Sequence, residues 1–514
     1  MRGWHSLYEI LAFPIGVLIF AIFLLGLGNI MVNPAFNYLI QINDDYIILF
    51  AEAIARIGQF LVVNFPLLFL IRLVTKRAGS AMTILSAVSG YVAYVVFTMY
   101  FTRTDLTSTA YSSILGISAV STVNTTGTRY PIQTGILATF IVTLITLNSY
   151  TASRRRSEYG FFSFINKDVY CVIRTVVLSS LLGAIVAVSW PYGLRFFSKV
   201  ISFISSDTTN PINLMLYGIL DRLMSVFNLG ALIRTPFWYN TNGGSWINMG
   251  GVSIAGDVNI WTEQYASSAL SRMTGRFITP YYVLNLFAMP AMLWALYSLQ
   301  TDRLERGRTR LYFVLVTIIS LLSGCLLPLE ILLLLLCPLL FIFHLSCTGI
   351  LYGIFQSMHV YLGFQYTGTN TITALPGTLL EFIAYVQNPN LRTSVLQVLL
   401  VGAIMALVYF LLTRLYFNHL AIDLFRTGDK DRAIQGTIEA VGGIENVKLV
   451  HSSMNRLIIS LFDPTKLDVQ KLKDLGSVRV FETRAGYAIS FGSASTIIRK
   501  GIAKAMRDYV RIAD

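Results

Sequence analysis

The chain has 514 residues, of which 55% are hydrophobic and only 13% charged, with a net charge of +13. A soluble globular chain carries roughly twice that charged share, so composition excludes a soluble enzyme or binding module and implies a polytopic membrane protein. Most of the positive excess lies before residue 420, where 24 basic residues stand against 15 acidic ones among apolar runs. That distribution describes membrane topology and gives no indication of nucleic acid as a partner.

Runs long enough to cross about 30 Å of hydrocarbon are expected at 9–31, 47–71, 80–102, 132–150, 169–190, 213–233, 279–298, 310–345, 346–363 and 394–416. The fold class is therefore a polytopic α-helical membrane protein of about ten transmembrane or re-entrant segments, with 310–345 too long for a single pass. The first run lacks a small-residue cleavage site and is expected to stay as a span. Lys76 and Arg77, the run Arg154, Arg155 and Arg156, and the cluster Arg303, Arg306, Arg308 and Arg310 follow apolar runs. Basic residues in such loops stay in the cytoplasm, and the first two clusters fit an N-terminus inside.

Cys171, Cys325, Cys337 and Cys347 all sit in apolar segments at no metal-ligand spacing, so they read as packing residues and neither a disulfide framework nor a metal site is expected. Asn124, Thr125 and Thr126 form an N-x-T triplet, which is meaningless if the source is bacterial. The Gly- and Asn-rich stretch 240–259 reads as a flexible loop or lid. Its flanking Trp238, Tyr239, Trp246 and Trp261 suit either stacking on the ring of a bound solute or an interfacial belt. No Walker-type phosphate loop is present, so an ATP-driven transporter is not supported and no cofactor is expected.

Residues 324–344, GCLLPLEILLLLLCPLLFIFH, hold one carboxylate, Glu330, between two prolines. A charge at membrane depth is tolerated only facing protein or a water-filled cavity, and the prolines imply a broken helix that exposes backbone groups there.

After Phe417 the pattern becomes that of a soluble α+β domain with four strands and three helices. KDRAIQGTIEAVGG reads as an amphipathic helix stopped by Gly442 and Gly443. NVKLVHSS and NRLIISLFDP read as strands, DVQKLKDLG as a short helix, SVRVFE and GYAISFG as strands, and ASTIIRKGIAKAMRDYV as a closing helix. The chain thus divides into 1–420, in the membrane, and 421–514, expected in the cytoplasm.

Several stretches together resemble the glucose/maltose branch of the phosphoenolpyruvate-dependent sugar phosphotransferase permeases, nearly end to end. FPIGVLIFAIFLLGLGN at 13–29 is similar to that family's opening P-V-x-x-L-P-x-x-G-x-L-x-G-x-G, and NFPLLFLIRLV at 64–74 to its N-L-P-L-I-F-A-I-G-V. NPINLMLYGILDRLMSVFNLGALIRTPF at 210–237 resembles its Y-G-F-I-E-R-x-L-V-P-F-G-L-H-H-I-W-N-x-P-F, and MPAMLWALYSL at 289–299 its L-P-A-A-A-L-A-x-Y. Residues 324–330 fall on its G-I-T-E-P-I-E. The resemblance implies a IIC membrane part that binds a sugar between two re-entrant hairpins, fused to a IIB domain with a phosphocysteine. That cysteine takes its phosphoryl group from a phosphohistidine on a IIA partner and passes it to the sugar. It also implies a homodimer, through the first five spans, in the bacterial cytoplasmic membrane.

Where the resemblance locates chemistry, this chain departs from it. The family's C-I-T-R-L-R followed by D-P-S-K aligns without a gap to 445–468, through Glu445, Asn446, Arg456, Leu457, Asp463, Pro464, Lys466 and Asp468, and the cysteine position is Ser453. A thiol is readily activated, whereas a serine needs a dedicated base and its phosphomonoester is a poor donor. The second motif arginine is Ile458, which removes a cation for the phosphoryl group. His451 is chemically able to carry phosphate, with an ordinary surface histidine as the plainer reading. In the first hairpin both family histidines are replaced, by Gly230 and Ala231; Asn228 and Arg234 are candidate sugar contacts, Arg234 alternatively an interfacial residue. In the second, Leu327 replaces the glutamate that touches sugar, while Glu330 matches the second glutamate and is read as a substrate-binding candidate or as a structural clamp bonded to backbone or to a cation. His344 matches a histidine the family keeps and reads as a satisfied interior residue. No catalytic residue is expected. The leading expectation is a permease homologue that has lost phosphoryl transfer. Its alternatives are an active phosphotransferase served by a separate IIB, and a membrane sensor or scaffold without transport.

Overall fold

The computed structural model describes the chain apart from residues 1, 33–43, 156–165, 269–273, 300–302, 365–375, 421–429, 454, 478, 484–485 and 514, and apart from most of 102–131 and residue 133. The Asn124 triplet and Arg156 lie outside the described residues, as does the stretch just after the 420/421 boundary. Seven of the described helices are long and apolar enough to cross a membrane. The other segments expected as spans are broken, and the breaks have identifiable chemical causes.

Helix Arg2–Val32 lies along helix Asp45–Val63. Small residues allow the approach: a Cβ on Gly58 would sit 2.4 Å from the Leu25 nitrogen, and one on Gly28 2.4 Å from the Ala51 carbonyl. The expected span 47–71 is in fact two helices, because the chain turns at Asn64 and restarts as Phe65–Ala78. Pro66, in the first turn of the new helix, has no N–H to continue the old one, and Asn64 Nδ2 donates to the Phe60 carbonyl at 2.8 Å. Arg72 Nε donates to the Ile10 carbonyl at 3.3 Å, tying this helix to the first.

Helix Ala81–Phe101 packs against Lys167–Ser206 through Gly90 and Gly183, whose added Cβ atoms would meet Thr175 and the Tyr94 carbonyl at 2.7 Å. The latter helix has 40 residues, about 60 Å at 1.5 Å per residue, so it extends well past the expected 169–190. Helix Gly135–Arg154 completes this first group.

Expected span 213–233 is broken as well: Pro211–Val226 ends at Phe227, Asn228 adopts the left-handed region at φ 59°, and Gly230–Trp238 starts anew. Stretch 240–259, expected as a flexible loop, is an ordered hairpin with Ser245–Ile247 paired antiparallel to Ser253–Ala255. Asn248 Oδ1 closes it by accepting from the backbone of Gly250 and Val252 at 3.0 and 2.9 Å. Helix Asp257–Ala266 follows. Thr279–Val283 runs through a π-turn at Leu284–Ala288 into Met289–Ser298, where Pro290 cannot donate its share of the ladder.

Expected runs 310–345 and 346–363 are three helices, Arg303–Ser323, Leu327–Leu336 and Pro338–Met358, so the boundary at 345 falls inside a continuous helix. Gly324, at φ 65°, and Cys337 are the joints, and Pro328 and Pro338 open the next helix in each case. Leu379–Gln387 and Arg392–Leu415 close the membrane part.

The C-terminal elements follow the expected order. Helix Lys430–Ala440 ends at Gly442 and Gly443, both at positive φ. Four antiparallel strands stand side by side as Val447–Ser452, Leu457–Leu461, Gly486–Ile489 and Val480–Thr483. Val469–Asp474 crosses between them, and Ser495–Ala513 lays Ile497, Ile498 and Ile502 into the core.

Candidate functional site

The helix breaks bring eight polar side chains from six elements to one buried place. Pro211–Val226 supplies Asp221 and Arg222, and Gly230–Trp238 supplies Arg234 from across the turn at Asn228. Arg222 Nη2 donates to Asp221 Oδ2 at 2.7 Å, its Nη1 to Glu330 Oε1 at 3.1 Å, and Nη2 also to the Tyr281 hydroxyl. Arg234 Nε donates to Asp221 Oδ1 at 2.5 Å and its Nη2 to the Ser225 hydroxyl. The Tyr281 hydroxyl donates to Asp221 Oδ2 at 2.5 Å. His344 Nε2 meets Glu330 Oε1 at 3.2 Å, and its Nδ1 meets the Tyr409 hydroxyl at 2.8 Å.

Asp221 and Glu330 are 0% exposed and Arg222 is 3%. Two carboxylates against two guanidinium groups give a balance that makes burial tolerable, since an isolated buried ion is very costly. Arg222 is the hinge of the arrangement, because among the described residues it alone bonds both acids. Glu330 Oε1 accepts twice, whereas Oε2 has no partner among the described residues although it is buried. The cluster therefore ties six helices together and leaves one carboxylate oxygen without a donor among the described residues.

Of the residues singled out from sequence, Glu330 and Arg234 meet here, and the cation beside Glu330 is Arg222. His344 is a satisfied interior residue. Asn228 is elsewhere: its Nδ2 donates to the Val63 carbonyl at 3.4 Å. Gly230 fits because a Cβ would sit 2.7 Å from Ser225 Oγ and 3.3 Å from the Arg234 guanidinium carbon. Ala231 packs beside Leu229 and Leu232, and Leu327 lies in the apolar core. Trp238 and Trp261 are core residues, donating to the Tyr217 and Tyr385 hydroxyls at 2.8 and 3.1 Å. Asp221, Arg222, Tyr281 and Tyr409 escaped the sequence reading. The signal was an Asp-Arg pair inside an apolar run, which at membrane depth marks a site by default.

Asp257 forms a second buried feature, between the apolar runs. Its Oδ1 accepts from the Gly275 amide at 2.8 Å, Oδ2 is without a partner among the described residues, and it is fully enclosed. Burial pushes its carboxyl up to about 6, against the opposing pull of Arg276 and of the backbone N–H groups of 275–277.

In the sheet, Ser453 occupies the turn between Val447–Ser452 and Leu457–Leu461, its amide donating to the Arg456 carbonyl at 2.8 Å, and it is 6% exposed. Arg456 lies over the Phe481 ring at 5.1 Å. Ile458 is buried and pairs in register with His451, which is half-buried. Asn446 Nδ2 donates to the Val441 and Asp463 carbonyls at 2.7 and 2.9 Å, while its Oδ1 accepts from the Asp463 amide at 2.7 Å. The Thr465 hydroxyl and amide hold the Asp463 carboxyl below its ordinary range. This part of the motif is thus a frame around the turn.

No model of a known protein family matches the chain. The glucoside-specific EIICBA component of the phosphotransferase system of Staphylococcus carnosus is 25% identical over 519 residues, which covers 96% of this chain and 72% of that protein. The transporter ChbC, the IIC component of the N,N'-diacetylchitobiose-specific phosphotransferase system, superposes with a TM-score of 0.30 at 12% identity, over 81% of this chain and 92% of that one.

Proposed function

We propose, from its kinship with the glucoside-type permeases of the sugar phosphotransferase system, that this chain is a IIC-IIB permease homologue which moves a sugar or related solute without phosphorylating it. The observation that carries the reading is Ser453, a hydroxyl in place of the reactive thiol, in a turn where no described residue offers it a base at hydrogen-bond distance. Ile458 and Leu327 support it, since each replaces a polar partner with a buried aliphatic side chain. So do Gly230 and Ala231, where the family has two histidines.

In this reading residues 1–420 form the permease, in the cytoplasmic membrane of a bacterium, as a homodimer. Residues 421–514 form a cytoplasmic IIB-like domain that keeps a docking face for a IIA-like protein but not its chemistry. Glu330 and Arg234 would face the solute through the cluster they share. A separate IIB supplying the phosphocysteine is the second reading, favoured by the retained frame of Asn446 and Asp463. A sensor or scaffold without transport is the third.

Proteoliposomes loaded with unlabelled glucoside and diluted into labelled glucoside test the reading. The expected result is counterflow of unmodified sugar without phosphoenolpyruvate, reduced at least tenfold in Glu330→Leu. Label recovered only as sugar phosphate, and only when the phosphotransfer proteins and a separate IIB are added, would favour the second reading. Absence of any counterflow across a panel of glucosides would favour the third.

A further inference from the structure

The last candidate span, Pro389–Asn418, turns one face away from the protein: Leu400, Ile404, Leu407, Leu411 and Leu415 are exposed at helical spacing along helix Arg392–Leu415. The stripe ends beside Arg414, which is exposed in the last turn of the same helix and stands over the Phe410 ring at 5.6 Å. A cation at the end of a span lies at the depth of the lipid headgroups. The chain then passes through the π-turn Tyr416–Leu420, on which the closing helix Ser495–Ala513 packs.

That helix exposes Lys500, Lys504 and Arg507, whose spacing sets them on one face. Burial and then the charges of Arg499 and Arg414 hold the Lys500 ammonium below its ordinary range; burial and then Arg507 do the same to the Arg499 guanidinium. None of these five cations is paired with a carboxylate among the described residues, and Arg499 Nε is buried there without a partner. Cations from two elements thus crowd one place, with no acid to balance them, at the end of an apolar stripe.

We infer that an anionic phospholipid of the membrane is held here, its phosphate between Arg414 and the Lys500 face of the closing helix and its acyl chains along the stripe from Leu400 to Leu415. The phosphate oxygens accept charge-assisted hydrogen bonds from cations that otherwise repel one another, and basic side chains immediately past the end of a span attract such headgroups. A phospholipid is complementary to the cations and to the leucines together, whereas a free anion matches only the cations. The bound lipid fastens the C-terminal domain to the end of the last span. This goes beyond the transport reading and holds whether or not the chain moves a sugar.

The test uses the full chain, delipidated in detergent and titrated with phosphatidylglycerol or phosphatidylcholine, with bound lipid counted by native mass spectrometry. Phosphatidylglycerol is expected to bind at least tenfold more tightly than phosphatidylcholine. That preference is expected to fall at least tenfold in Arg414→Gln and in Lys500→Gln with Lys504→Gln. It is expected to survive in Lys448→Gln with Lys466→Gln, which removes the same charge from exposed positions elsewhere on the domain. All of these positions are exposed, and an unchanged thermal midpoint without lipid checks that each variant folds. Equal affinity for the two lipids, or a preference that ignores Arg414→Gln and the Lys500 and Lys504 pair, overturns the inference. Displacement of the lipid by inorganic phosphate at equal concentration also overturns it, since the site would then be one for a free anion.

Discussion

At the scale of single residues, Arg222 decides whether the interior of the membrane part is tolerable. It bonds Asp221 and Glu330 at once, and removing it would leave the second acid buried without a cation. Arg222→Leu is therefore expected to cost about 3–5 kcal/mol, seen as a lowered thermal midpoint in detergent. His344→Leu, which leaves the ion pairs intact, is expected to cost clearly less. An Arg222→Leu protein as stable as its parent would mean the cluster is not closed as described. Asp257 gives a pH signature. Its carboxyl is raised to about 6 in the fold, so the protonated form is the one the fold favours. The associated stability is present in full below the unfolded value near 4 and is lost as pH rises through about 6. Asp257→Asn removes this dependence. Its thermal midpoint relative to the natural chain is expected to climb between pH 4 and 6 and to level off above; a constant offset would contradict the assignment.

At the scale of elements, the fold is set by where proline and glycine interrupt apolar runs. Hydropathy located the membrane segments, and the length of 310–345 announced an internal break, yet the joints at Asn64, Asn228 and Cys337 were not visible in apolar content, because both sides of each are equally hydrophobic. Pro66, Pro328 and Pro338 were the readable signs. The soluble elements were legible almost residue by residue, since strand alternation and the Gly442-Gly443 stop are local properties. Close packing was not, because Gly58 looks like any helix glycine until Leu25 is placed against it. Gly58→Ala, whose Cβ would sit 2.4 Å from a backbone nitrogen, is expected to destabilise by about 1–3 kcal/mol. Gly16→Ala, with nothing within 4 Å, is expected to be neutral. Equal thermal midpoints for the two would show that the first two long helices are not in contact there.

At the scale of the whole molecule, the site was half legible. Glu330 and Arg234 stood out as charges in apolar surroundings, but their common partner Asp221 and the Arg222 bridge depend on a turn at Asn228 that folds two short helices back on each other. The absence of the thiol at 453 was legible outright, and it carries the account. The most direct measurement is intact mass of the purified chain after incubation with phosphoenolpyruvate, the general phosphocarrier proteins and a glucose-type IIA, beside Ser453→Cys. The account predicts no added phosphoryl group on the natural chain and one on Ser453→Cys, which would show the docking face kept and the chemistry gone. A natural chain that gains a phosphoryl group and hands it to a sugar would contradict the account.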